Sequence, residues 1–393
     1  MNTPTLEAMR VMRLDSDGIM SVALADGRFA SASLGRTPFE ASSALVSATY
    51  FPVSSQLWLQ TRRGDNIVLE IPGPIDQSPR DGRPAIYLDQ NHWSTLSNTI
   101  HEPGRVRDER ERSAAEHLIA LVLDRTVILP LSSAHLSETC KQIDLEQRYR
   151  RALTMAQLSG GWQLRDPLAL RRFELRQALT LRYRQFCLIP PPAVTLEPNA
   201  MHASRCEPMP DVAPDLPEDA RRMVHAVSCI AGIVDTLLDS EHLPMPLPEG
   251  WLAELQRFAT FLADNPSGKD LRRRRTHAQF LADLGRELPE EACRAGVTAT
   301  EMSDWALHHS EDDLRAMPVL GLFREVLHEK LCDPHLRWEN NDLIDMMYLI
   351  SGTAHCDHVV AERSHASHIA NGLRRLGSSR IVHPNLYSLV AHL

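Results

Sequence analysis

The chain has no CxxC pair. Its seven cysteines (Cys140, Cys187, Cys206, Cys229, Cys293, Cys332 and Cys356) stand singly, which excludes a zinc ribbon and any evident disulfide framework. Aromatic side chains are also sparse, at 5% of 393 residues. No apolar run reaches the ~20 residues needed to cross a bilayer. The stretch Met1 to Arg13 lacks the basic start and apolar middle of a secretory signal. A cytoplasmic protein with no membrane partner is therefore expected. Positive charge is in deficit too: the formal net charge is −9. That excludes coating of nucleic acid by bulk positive charge, but leaves room for local arginine patches.

Hydrophobic residues at 43% and charged residues at 24% are ordinary for a globular chain, and the length predicts roughly two or three domains. Residues 1–74 read as a small β-rich module. Alternation through Gly18 to Leu24, a turn at Asp26-Gly27 and continuation through Arg28 to Ser31 is hairpin chemistry, and Gln56 to Gln60 and Asn66 to Ile71 are further strand-like stretches. The polar residues 75–84 read as a linker. The texture then changes. Ala85-Ile86-Tyr87-Leu88 is a short apolar run delivering Asp89-Gln90-Asn91-His92 at its end. A helix near Glu109 to Asp124, a strand at Thr126 to Pro130 and a serine-capped helix running toward Arg151 complete a strand, helix, strand, helix order, which favours a parallel sheet. Residues 160–335 read as a large helical insertion, broken by a proline-rich stretch from Pro190 to Pro217. Within it, Pro217 to Leu238, Trp251 to Ala263 and Asp312 to Leu331 have helical apolar spacing. Residues 336–393 resume the α/β pattern, with a helix at Asn341 to Ile350, a strand framed by Asp357 and Glu362, a helix at Ser364 to Leu376 and a last strand at Arg380 to His383.

Acids punctuate these elements: Asp89, Glu138, Asp342, Asp345, Asp357 and Glu362. Carboxylates gathered in a cleft repel one another, so such a cluster needs a compensating cation. Mg²⁺ or Mn²⁺ suits oxygen ligands, keeps some water and binds phosphate oxygens in its remaining positions. In phosphodiester cleavage such an ion activates water and stabilises the charge developing on the phosphate and the leaving oxygen.

The segments Tyr87-Leu88-Asp89-Gln90-Asn91-His92-Trp93, His135-Leu136-Ser137-Glu138, Asn341-Asp342-x-x-Asp345 and Cys356-Asp357-x-Val359-Val360-x-Glu362 resemble the successive acidic elements of PIN-like nucleases. The resemblance covers residues about 85–155 and 335–393. It implies an α/β fold, with a PIN-like parallel sheet flanked by helices over 85–159 and 336–393. It further implies Asp89, Glu138, and Asp342 or Asp345 as catalytic metal ligands, with Glu362 or Asp357 completing the pocket. The fourth place in the family is usually aspartate, where this chain has Glu362. The implied activity is metal-dependent endonucleolytic hydrolysis, of RNA rather than DNA, in a toxin or defence setting, with a regulatory protein or antitoxin as partner and self-association into a homo-oligomer as a further expectation. The alternative is a catalytically inactive PIN-like module used for binding or regulation.

Each acid also has a structural use, as a helix cap or a charge favoured at a helix N-terminus. Asn91 and Ser133 are candidates to orient ligands or water, or to serve turns and caps. The histidines His135, His355, His358, His365 and His368 carry no HExxH spacing for zinc. Arg272-Arg273-Arg274-Arg275, together with Arg171, Arg172, Arg182, Arg184, Arg374 and Arg375, offers a phosphate-binding surface. Arg272 to His277 also loosely matches the arginine-histidine pattern of HEPN ribonucleases, for which a solvated basic face is the plainer reading.

Overall fold

A computed structural model describes residues 9–33, 39, 42–71, 80–198, 200–201, 218–239, 241 and 249–393. In chain order the elements begin with β1 (Met9–Asp15), β2 (Ile19–Leu24), β3 (Phe29–Ser33), β4 (Leu45–Phe51), β5 (Gln56–Thr61), β6 (Asn66–Glu70) and β7 (Ile86–Leu88). There follow α1 (Gln90–His101), α2 (Glu109–Leu123), α3 (Ser133–Cys140), α4 (Leu145–Ser159), β8 (Gln163–Leu164), α5 (Pro167–Arg184), β9 (Val194–Thr195), α6 (Glu218–Leu238) and α7 (Glu249–Asp264). The C-terminal part comprises α8 (Lys269–Asp283), α9 (Glu287–Arg294), α10 (Ala299–Asp304), α11 (Ser310–Ala316), α12 (Pro318–Cys332), α13 (Asp342–His355), β10 (His358–Val360), α14 (Arg363–Leu376), β11 (Val382–His383) and α15 (Leu386–Val390). The chain is a mixed α/β protein, mostly helical, and among the described residues no helix is long and apolar enough to cross a membrane. Residues 72–79, which include half of the expected linker, and 202–217 of the proline-rich stretch lie outside the described residues.

Contacts divide the chain into two compact units, 1–85 with 93–164 and 194–244, and 86–92 with 165–193 and 245–393. The segment expected as 85–159 is thus shared between units, and so is the helical stretch 160–335, of which α6 belongs to the first unit.

The first unit holds a six-stranded antiparallel sheet in the order β3-β2-β1-β4-β5-β6. Alternate residues of β5 and β6 (Leu57, Leu59, Ile67, Leu69) are buried, as period-2 patterning requires, and α4 and α6 pack on the sheet. The turn at Asp26-Gly27 forms as expected, with Gly27 at φ +84° and the Asp26 carboxylate accepting the Arg28 N–H. The strand expected at Thr126 to Pro130 shrinks to a single parallel bridge, Ile128 to Ala85; Pro130, which has no N–H to donate, closes the run. The helix expected to run on to Arg151 is broken between α3 and α4, because the Asp144 carboxylate caps α4 by accepting the Glu146 and Gln147 N–H groups.

The second unit is built on a three-stranded, wholly parallel sheet in the order β11-β10-β7. β7 is buried at every residue, which is why it reads as an unbroken apolar run. Helix α13 packs on β7 and β10, and α12 packs against α5, α7, α8, α11, α13 and α14. Gly352 of α13 lies where a side chain would meet the root of Tyr87, so the helix sits close on the strand. Helix α12 is buried on nearly all sides, yet it carries Arg324, Glu325 and Lys330 inward. The Glu325 carboxylate takes a two-pronged bond from Arg273, which satisfies part of that buried charge.

Candidate active site

Parallel strands deliver their next residues to one edge of the sheet, and here that edge is acidic. The Asp89 N–H donates to the Val360 carbonyl (2.9 Å), carrying the β7–β10 ladder one residue past Leu88. That register brings Glu362, two residues beyond β10, beside Asp89: the Glu362 N–H donates to Asp89 Oδ2 at 3.4 Å. Asp89 Oδ1 accepts the Gln90 N–H at 2.7 Å as α1 begins, and Glu362 is the N-cap of α14. Two helix N-termini therefore face the two carboxylates, and their partial positive charge favours the anions. The Asn91 side-chain amide donates to Glu362 Oε1, so this asparagine orients the carboxylate.

Helix α13 adds Asp342 and Asp345 in its first turn. The two face different partners. Asp342 forms an ion pair with Lys330, both side chains being nearly closed to solvent at 10% and 3% exposure, and its second oxygen accepts the Glu339 N–H at 2.6 Å. Asp345 Oδ2 lies 3.7 Å from His365 Nε2 on α14. Burial, reinforced by the charge of Lys330, holds the His365 imidazole below its ordinary value, against the opposing pull of Asp89, Asp342 and Glu362. His365 is thus neutral at pH 7, in the field of these acids. Lysine is rare in this chain, occurring as Lys141, Lys269 and Lys330, so its burial here is a specific choice.

Asp357 precedes β10, at the end of the strand opposite Glu362, and is exposed. Glu138 belongs to the first unit, on α3, where it is ion-paired with Lys141 at 2.8 Å. Ser133 opens α3 after Ser132, which caps the helix. The arginines of the expected phosphate surface are largely engaged with acids: Arg273 with Glu325, Arg375 with Glu329, Arg171 with Glu287, Arg172 with Glu290, Arg182 with Asp313 and Arg184 with Glu301. Arg272 and Arg275 donate to the Ser267 and Asn265 carbonyls. Arg274 and Arg374 share those helices, α8 and α14. His277 bonds Ser310 Oγ at 3.0 Å inside the helical packing, in keeping with a structural role.

Sequence reasoning missed Lys330, and His365 stood out only as one of several histidines. The signal for Lys330 was present: a lysine, rare in this chain, near the end of a helix rich in apolar residues. Among the described residues no three His, Cys, Asp or Glu side chains form a ready cage for a metal ion. The donor chemistry nevertheless suits a hard cation, because Mg²⁺ is commonly held by one or two carboxylates and completes its shell with water and substrate phosphate. Asp89 and Glu362 are such a pair. Compared with protein-family models, curated proteins and solved structures, the chain matches none.

Proposed function

We propose that the second unit is a metal-dependent phosphodiesterase of the PIN-like kind, acting as an endonuclease on RNA. Asp89 and Glu362 hold Mg²⁺ or Mn²⁺, Asp345 joins through water, and Asn91 fixes Glu362. The observation that carries the reading is the meeting of Asp89 and Glu362, 273 residues apart, at the C-terminal ends of adjacent parallel strands. In open parallel sheets that edge is where ligands bind. When bound, the cation supplies an activated water and charge stabilisation at the phosphate. The neutral His365 imidazole, next to Asp345, is placed to accept and release a proton.

A second reading is favoured by Lys330, which already sets a fixed positive charge against Asp342: a PIN-like module that binds RNA without cutting it. Incubating the full chain with end-labelled single-stranded RNA and DNA, in Mn²⁺ and then in EDTA, separates the two. The nuclease reading expects RNA fragments in Mn²⁺ only, lost in Asp89→Asn and in Glu362→Gln. RNA retention without fragments in either condition gives the binding module, and cleavage equal in parent and variants removes the site.

A further inference from the structure

Within the second unit, α5, the loop after it and the start of α12 enclose a cavity of about 560 Å³, lined by Phe173, Ala178, Leu181, Pro190, Met317 and Pro318 among others. That volume is in the range of small-molecule sites, which bury most of a ligand against apolar walls and orient it with a few polar groups. The polar groups here are few and specific. Glu174 reaches in from α5, its two oxygens accepting the Val319 and Leu320 N–H groups at 2.8 and 2.9 Å as α12 begins. His355, the last residue of α13, also lines the cavity. Arg182 and Asp313 complete the wall, but the guanidinium is spent on Asp313 in a two-pronged pair.

Arg182 and Asp313 balance each other, which leaves Glu174 as the polar group that decides what fits. Burial pushes its carboxyl up to about 7, against the two N–H bonds and the charge of Arg171. An anion would be repelled by its ionised form, and a wholly apolar molecule would leave it without an added partner. A protonated amine on an apolar body holds the carboxylate ionised and pairs with it.

We infer that this cavity is a binding site for a small arylalkylamine, its ring among Phe173, Leu181 and Met317 and its ammonium donating to Glu174. Nothing in this requires the acids of the proposed nuclease site, so the two readings fail independently.

Isothermal titration calorimetry of the full chain at pH 7 with 2-(aminomethyl)naphthalene and with 2-naphthoate tests the site. The amine is expected to bind about tenfold or more tighter than the acid, a difference of the size of one charge-assisted hydrogen bond. Glu174→Gln removes that preference. Ala178→Trp, which fills the cavity from its α5 wall, abolishes binding and serves as the test if Glu174→Gln does not fold. Absence of amine binding, equal binding of amine and acid, or binding that survives Ala178→Trp overturns the inference.

Discussion

Gly352→Ala is the substitution on which helix propensity and packing disagree most openly. In a helix interior the change is worth about 1 kcal/mol in favour of alanine. The added Cβ, however, would sit 2.8 Å from both Cγ and Cδ1 of Tyr87 and 3.0 Å from its Cβ. These atoms are the root of the tyrosine side chain, so rotation of the ring cannot clear them. The strand is fixed on either side by Ile86 and Leu88, both fully buried and hydrogen-bonded to β10. Overpacking of this kind costs about 1–3 kcal/mol, and with so little freedom to yield the upper part of that range applies, leaving a net loss of about 1–2 kcal/mol. Urea denaturation reads it as a lowered midpoint at unchanged slope. In a Tyr87→Ala background the same substitution should become neutral or stabilising, because its clash partner is gone. A Gly352→Ala protein as stable as the parent would refute the close approach of α13 to β7, and with it the placement of Asp342 and Asp345 relative to that strand.

Lys330→Met leaves Asp342 as a buried charge without its partner and should cost about 3–5 kcal/mol, whereas replacing both residues with apolar ones should recover most of it; chemical denaturation of both variants checks this. Stability should also fall with acid. Burial holds His355 and His383 at about 4, helped by Arg380 in the first case and by His358 and His392 in the second. The unfolded chain then takes up protons first, so stability is full above about pH 6.5 and drains toward pH 4, by up to about 3 kcal/mol for each group. Urea midpoints between pH 7.5 and 4.5 measure this, and a His383→Asn protein with the parent's full pH slope would remove His383 from the account. For the proposed cation, Asp89→Asn and Glu362→Gln should each weaken Mn²⁺ binding about tenfold or more, read by electron paramagnetic resonance in the absence of RNA. Unchanged Mn²⁺ affinity in both would detach the metal from this pair.

Much of the parallel sheet was legible in the chain because buried parallel strands leave a strong trace. Ile86-Tyr87-Leu88 and His358-Val359-Val360 are short apolar runs, each followed closely by an acid, and they pair in register. The antiparallel module was legible for the complementary reason, alternation and a Gly turn. Lost were features set by tertiary contact. Whether Thr126 to Pro130 pairs along its length depends on neighbours that no local pattern reveals, and α6 joins the first unit through its packing on β4 and the bond from Ala44 N–H to Asp235 rather than through anything in its own periodicity. The arginine runs misled for a similar reason: charge is visible in sequence, but its partners are not, and Arg273, Arg171 and Arg182 each find an acid distant in the chain.

The same distinction sorts the acids, which the chain alone presents as equals. What balances each carboxylate differs. Glu138 is paired with Lys141 and Asp342 with Lys330, so two of the chain's three lysines are committed to candidate acids. A lysine is a permanent counter-charge, and a carboxylate already paired in a closed environment gains least from a second cation. Asp89 and Glu362 meet backbone N–H groups, the Asn91 amide and the N-terminal ends of α1 and α14. Those contacts fix direction without neutralising charge. The residual negative potential at the sheet edge therefore belongs to Asp89 and Glu362, with Asp345 beside a neutral His365, and it is there that a dissociable cation would be drawn.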